Sequence, residues 1–178
     1  MSPQPSQRPI TLELTDATNR LTKAQMNWLA EQCTRALHTL RCAGSLRVRV
    51  IDDVEMAKAH EEFAGVPGTT DVLTFDMTDP DDADQITKPL ENLKLLDQNK
   101  SQNTVDTDIM ICLDEAIRQA SQRGYDFPRE LLLYVVHGLL HCLGHDDHEE
   151  QDAALMHRVE DAVLEAIGVG AVFRRGEQ

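Results

Sequence analysis

Residues 131–143 (LLLYVVHGLLHCL) read as a strongly apolar helical run, and this run carries two histidines four positions apart. Helical geometry puts His137 and His141 on one face, one turn apart. Gly144 then lets the chain turn back, and Asp147 or His148 follows as a candidate for a third ligand. Three ligands with one open position is the arrangement of catalytic zinc. The pattern therefore predicts a buried helix that ends in a metal site, and it points to a metal-dependent hydrolase.

The chain has 178 residues, 41% of them hydrophobic, which predicts one globular domain with a sizeable core. No run reaches the about 18 apolar residues that a membrane span needs. The first nine residues, MSPQPSQRP, are polar and Pro-rich and lack the apolar region of a signal peptide. A cytoplasmic protein without a membrane partner is expected. Cys33, Cys42, Cys112 and Cys142 form no CxxC pair and lie in or beside apolar segments, so they read as buried, reduced thiols. Cys142 adjoins His141, but neighbouring helix positions point about 100° apart, which makes it a poor co-ligand. The net charge of −14 argues against nonspecific nucleic-acid binding. The charge is uneven: residues 1–50 hold seven Lys/Arg against three Asp/Glu, leaving room for a local basic surface.

Ile10–Leu14 alternates as a strand. Thr22 and Gln25 fit a capping box, and Met26, Leu29, Cys33, Leu37 and Leu40 recur at helical spacing. Gly44 reads as a break, after which Leu46–Ile51 alternates as a strand, with Arg47 and Arg49 on the face opposite Leu46, Val48 and Val50. A short helix is expected around Asp53–Phe63 and a strand at Thr70–Phe75. Residues 76–107 read as a long acidic loop, with a helical turn at Leu90–Leu96. Asp108–Leu113 reads as a strand, Asp114 as the cap of a helix that Gly124 ends, and Pro128 as the first turn of the histidine helix. A last helix near Glu150–Ile167 shows Met156, Val159, Val163 and Ile167 on one face. The expected fold class is α+β: a small mixed four-stranded sheet packed with about five helices. The expected organisation is a tail at 1–9, a domain at 10–168 with an acidic insertion at 76–107, and a tail at 169–178.

One histidine on an apolar face is more often a satisfied core residue than a ligand. Here five histidines fall between His137 and His157, and His137, His141 and His145 repeat at equal spacing. With Gly144 and Asp147 added, the metal reading outweighs the core reading. His137 and His141 offer nitrogens, Asp147 a carboxylate oxygen and His148 a further nitrogen. Peptidases of the HExxH type use the Glu after the first His as general base, and that position here is Gly138. Hydrolysis driven by a metal that activates water or polarises a phosphoryl oxygen remains open to the site.

HGLLHCLGHDD resembles HGxLHLxGYDH, the signature of the YbeY family of bacterial endoribonucleases of ribosomal RNA maturation. GTTDVLTF at Gly68–Phe75 is similar to that family's PTDVLSF, and TDIMICLDEAIRQA at Thr107–Ala120 to its GDIxIsxxxAxxQA. Met156 stands where the family has Met in its last helix. The resemblance implies a cytoplasmic, Zn²⁺-dependent endoribonuclease of single-strand type, acting in ribosomal RNA processing and ribosome quality control. Its partners would be ribosomal RNA, with ribosomal proteins or assembly factors. The family's third ligand is a His ten residues after the first, and the ungapped count gives Asp147, with His148 as the alternative. His137 and His141 would hold the ion and serve catalysis, and Asp146 would orient a ligand or water.

A second departure is at Ala64, where family members carry an Arg that helps bind or cleave the phosphodiester. Arg47 and Arg49 are the nearest substitutes for contacting substrate; the bland reading makes them two solvated charges. Two rival functions follow. A noncatalytic ribosome-assembly factor with a structural metal is favoured by Ala64 and the acidic charge. A hydrolase of another substrate is disfavoured by the missing Glu at position 138.

Overall fold

A computed structural model describes residues 9–83 and 102–173. The elements in chain order are β1 (Ile10–Asp16), α1 (Lys23–Thr39), β2 (Cys42–Ile51), α2 (Asp53–Ala64), β3 (Val72–Asp76), α3 (Pro80–Ala83), β4 (Asn103–Cys112), α4 (Leu113–Arg123), α5 (Phe127–Cys142) and α6 (Glu150–Ala166). The described fold is α+β. One sheet runs in the order β1-β2-β4-β3, with β1, β2 and β4 parallel and β3 antiparallel to β4.

Local signals account for most of the boundaries. Thr22 and Gln25 form the complete capping box of α1. Asp52 accepts from Glu55 N–H to cap α2, and Gly65 closes that helix in the left-handed region. Gly124 ends α4 in the same way. Pro128 occupies the first turn of α5, where its missing N–H has no intrahelical acceptor to lose.

Three expectations change. Gly44 lies inside β2, with φ +112°, and a Cβ there would sit 2.2 Å from the Val105 carbonyl oxygen. Glycine is what lets β2 and β4 approach, so the strand begins at Cys42 and not at Leu46. Asp114 does not cap α4: the N-cap is Cys112 without a side-chain bond, and Asp114 instead accepts from Arg20 and from Asp53 N–H. The acidic segment read as a loop over 76–107 is ordered at both ends. Asp76 belongs to β3, Pro80–Ala83 forms one helical turn, and Asn103–Thr107 opens β4. Asn103 and Thr107 are polar side chains on the buried face of that strand, so hydrophobic alternation missed it; Asn103 Nδ2 donates to the Leu40 carbonyl at 3.0 Å. The turn expected at Leu90–Leu96, residues 1–8 and residues 174–178 lie outside the described residues.

The core explains how α5 is held. Leu46, Val48 and Val50 of β2 and Val105, Ile109 and Ile111 of β4 face one side of the sheet. Leu131, Leu132, Val135, Val136, Leu139 and Leu140 of α5 pack against them, with Met156, Val159, Val163 and Leu164 of α6 behind. Truncating any of these leucines to Ala costs about 2–5 kcal/mol. The opposite face of the sheet carries a smaller cluster, in which Met56 of α2 meets Ile51 and Cys112. Among the described residues no helix is long and apolar enough to cross a membrane.

Candidate metal centre

Two features of α5 decide where its histidines sit. The first is Gly138. A Cβ at this position would lie 2.6 Å from Thr74 Oγ1 and 2.9 Å from Ile109 Cδ1, so the helix rests directly on β3 and β4. There is no room for the Glu of an HExxH peptidase. The second is the end of the helix. Gly144, at φ +82°, donates to the His141 carbonyl and His145 N–H donates to the Leu140 carbonyl, both at 3.0 Å. These two bonds are a Schellman motif, and they fold the chain back over its own last turn.

The fold-back completes the centre. The Nε2 atoms of His137 and His141 face each other at 3.0 Å. Asp147 Oδ2 lies 3.6 Å from His137 Nε2, and Asp147 Oδ1 lies 3.7 Å from His141 Nε2. One ligand atom from each of the three residues falls within 4.8 Å of the other two. Both imidazoles are held from behind. His137 Nδ1 donates to Glu160 Oε1 at 2.7 Å, and His141 Nδ1 donates to the His145 carbonyl at 3.0 Å.

Those bonds settle the tautomers. A carbonyl and a carboxylate accept, so each Nδ1 carries a hydrogen, and in the neutral ring Nε2 presents a lone pair. Two such nitrogens meeting at 3.0 Å beside a carboxylate call for positive charge between them, supplied by a proton shared between the rings or by a metal ion. The donor set therefore fits a divalent ion, and its outer partners are those that metal-ligating histidines have. Burial acts to lower the His137 pKa, but Glu160, Asp71 and Asp147 outweigh it and leave the group raised.

The remaining predicted residues are placed elsewhere. His148 is 82% exposed and its Nδ1 bonds to the Asp146 carboxylate. Asp146 also accepts from Asp147 N–H at 2.8 Å, so its carboxylate organises the turn. The Asp146 carboxyl is held below its ordinary range by His148, and His148 is raised in return. Asp146, Asp147 and His148 form a second group of donors, all exposed. Arg47 and Arg49 do not reach the centre. They project from the sheet face that carries α2, opposite α5, where Arg47 pairs with Asp106 (2.6 Å) and Asp108, and Arg49 with Glu55 (2.7 Å). Ala64 is an exposed residue at the end of α2.

Sequence reasoning missed Glu160 and Asp71. Glu160 is 1% exposed, and a carboxylate beside the apolar stripe of the last helix was the available signal. Asp71, in the TDVLTF segment, anchors one oxygen on Thr70 Oγ1 and Val72 N–H. It lines two cavities that share Thr70, His137 and Asp147 with it: one of about 530 Å³ beside α4 and α6, and one of about 470 Å³ toward His141.

The family model described as Endoribonuclease YbeY matches residues 11–168. The chain belongs to the YbeY family. A YbeY endoribonuclease of Carboxydothermus hydrogenoformans is 27% identical over 161 residues, covering 88% of this chain and 99% of that one. The YbeY endoribonuclease of Cutibacterium acnes is 33% identical over 135 residues, covering 75% and 79%. A Thermotoga maritima protein with a structure determined in solution shares the fold, with a TM-score of 0.51 and 18% identity over 88% of this chain and 89% of that one.

Proposed function

We propose that this chain is a metal-dependent endoribonuclease of ribosomal RNA processing and ribosome quality control, organised as one domain over residues 10–168. The observation that carries the reading is the meeting of two imidazole lone pairs and one carboxylate at the end of α5. The names of the family's members supply the substrate class.

In this reading His137, His141 and Asp147 hold one ion, and Zn²⁺ suits two nitrogens and an oxygen. When bound, the ion supplies Lewis acidity toward a phosphoryl oxygen and lowers the pKa of water. The chain's own residues do the rest. Glu160 keeps the proton on His137 Nδ1, and the His145 carbonyl keeps it on His141 Nδ1, so both Nε2 atoms stay available. Gly138 leaves no space for a peptidase base, which favours phosphodiester over amide substrates. Ribosomal RNA is the proposed partner, with ribosomal proteins or assembly factors bringing it to the acidic surface.

Metal analysis paired with cleavage of a structured ribosomal RNA fragment tests the reading. The purified protein should carry about one equivalent of a transition metal. His137→Ala and His141→Ala should each lose the metal and the cleavage together. A double variant with full metal occupancy would refute the site, and a metal-loaded wild type that leaves RNA intact would favour the noncatalytic assembly factor.

A further inference from the structure

The cavity of about 530 Å³ extends away from the metal centre into a region that phosphodiester chemistry does not need. On its outer side His157 lies flat against Phe173, with ring centroids 3.9 Å apart and planes 12° apart. The Arg123 guanidinium lies over the same Phe173 ring at 5.4 Å. Each hydrogen bond that Arg123 makes among the described residues leaves from Nη1, toward Tyr125 and the buried Glu130. Stacked planar groups of this kind, with one exposed imidazole, are what single-stranded RNA bases stack on.

The inner wall adds a second, independent observation. Tyr134 is 4% exposed and Glu160 is 1% exposed. Glu160 Oε2 is buried without a hydrogen-bond partner, and the Tyr134 hydroxyl lies beside the Glu130 carboxylate. An unpaired buried polar atom is costly, so a carboxylate oxygen of this kind on a cavity wall points to a ligand that completes it. The charge of the wall selects among ligands. Asp71, Glu115, Glu130, Asp147 and Glu160 oppose a single arginine, Arg123, which Glu130 already neutralises. A phosphate would be repelled there, whereas an uncharged base with N–H donors would not.

We propose that this cavity is a nucleotide subsite. It takes one unpaired base next to the scissile phosphate, stacked on the His157–Phe173 layer, while the phosphate itself lies at the metal centre. The assignment rests on the endoribonuclease reading and adds to it a reason for acting on unpaired RNA. A paired base cannot leave its helix to enter a pocket of this kind without the cost of unstacking.

Stopped-flow mixing with the protein as purified reads binding before the strand is cut. The probe is a single-stranded RNA carrying 2-aminopurine at successive positions, with an abasic residue substituted at the same positions in a second series. Wild-type protein should change the 2-aminopurine emission at one position only, and an abasic residue there should weaken binding about 5-fold or more. His157→Ala, at an exposed position, should fold normally, lose that emission change and weaken binding to intact RNA by the same factor. It should bind abasic RNA no worse than wild type does, and His157→Tyr should restore the stack. Equal emission and affinity in wild type and His157→Ala would overturn the subsite and leave the nuclease reading standing. A wild type that binds none of the RNAs, and cleaves none when loaded with metal, would overturn both.

Discussion

Glu160 does for His137 what the His145 carbonyl does for His141: each accepts the Nδ1 hydrogen and turns Nε2 toward Asp147. The two supports differ in kind. A main-chain carbonyl cannot be mutated away, but Glu160→Ala would leave a half-buried N–H unpaired and the ring free to rotate. We expect it to lower metal affinity about 10–100-fold without removing a ligand, as measured by competition with a chromophoric chelator; unchanged affinity would show that packing alone fixes the ring. Asp147→Ala should weaken binding far more than His148→Ala, because His148 is turned to Asp146. If His148→Ala proves the damaging change, the turn after Gly144 rearranges when the ion binds.

At the scale of elements, the seating of α5 on β3 and β4 is the feature with the sharpest consequence. Gly138→Ala adds one methyl group where Thr74 Oγ1 and Ile109 Cδ1 already stand. Overpacking of this kind costs about 1–3 kcal/mol, and it should lower the urea midpoint and the metal affinity together. An unchanged midpoint would mean that another contact sets the spacing of helix and sheet. A second prediction concerns the polar junction of the β1–α1 connection, α2 and α4. Arg118 and Cys112 bonds hold Asp53 below the ordinary carboxylate range, and Arg20 and the Asp53 N–H do the same for Asp114. Both stay ionised in the fold at a pH where the unfolded chain would take up protons. Their contribution is therefore present above about pH 4 and is lost as pH falls through their folded values. Asp114→Asn should flatten the fall of the thermal midpoint between pH 5 and about pH 3; an identical slope would place the acid sensitivity elsewhere. The longer helices were legible because glycines and apolar spacing agreed, even where the cap expected at Asp114 is absent. The start of β4 was not, because Asn103 and Thr107 are buried for their bonds and not for their hydrophobicity.

For the whole molecule, the question is how a chain of net charge −14 meets RNA. The basic face expected from Arg47 and Arg49 is internally neutralised by Asp106, Asp108 and Glu55 and lies across the sheet from the metal centre. Replacing both arginines with Ala should leave RNA affinity and metal content within about twofold of wild type, since exposed ion pairs contribute about 0–1 kcal/mol. A large loss of binding would make the α2 face a second RNA contact. Period-2 alternation put the two arginines on one face correctly, but it carries no information on which face of the sheet the histidine helix covers. The site was legible where spacing along one helix determined it, as for His137 and His141. It was not legible where partners arrive from another element, as Glu160 does from α6 and Asp71 from the approach to β3.

The junction of β3 and β4 has a consequence for the edge of the sheet. Met77 N–H donates to the Asp106 carbonyl at 2.7 Å, and Asp106 N–H donates to Thr78 Oγ1 at 3.0 Å. These two bonds tie β3 to β4 just beyond their last ladder pair, Asp76 with Thr107. The two bonds act as a clasp: they hold the free edge of the sheet against fraying, and with it the strand whose Thr74 supports Gly138 of the histidine helix.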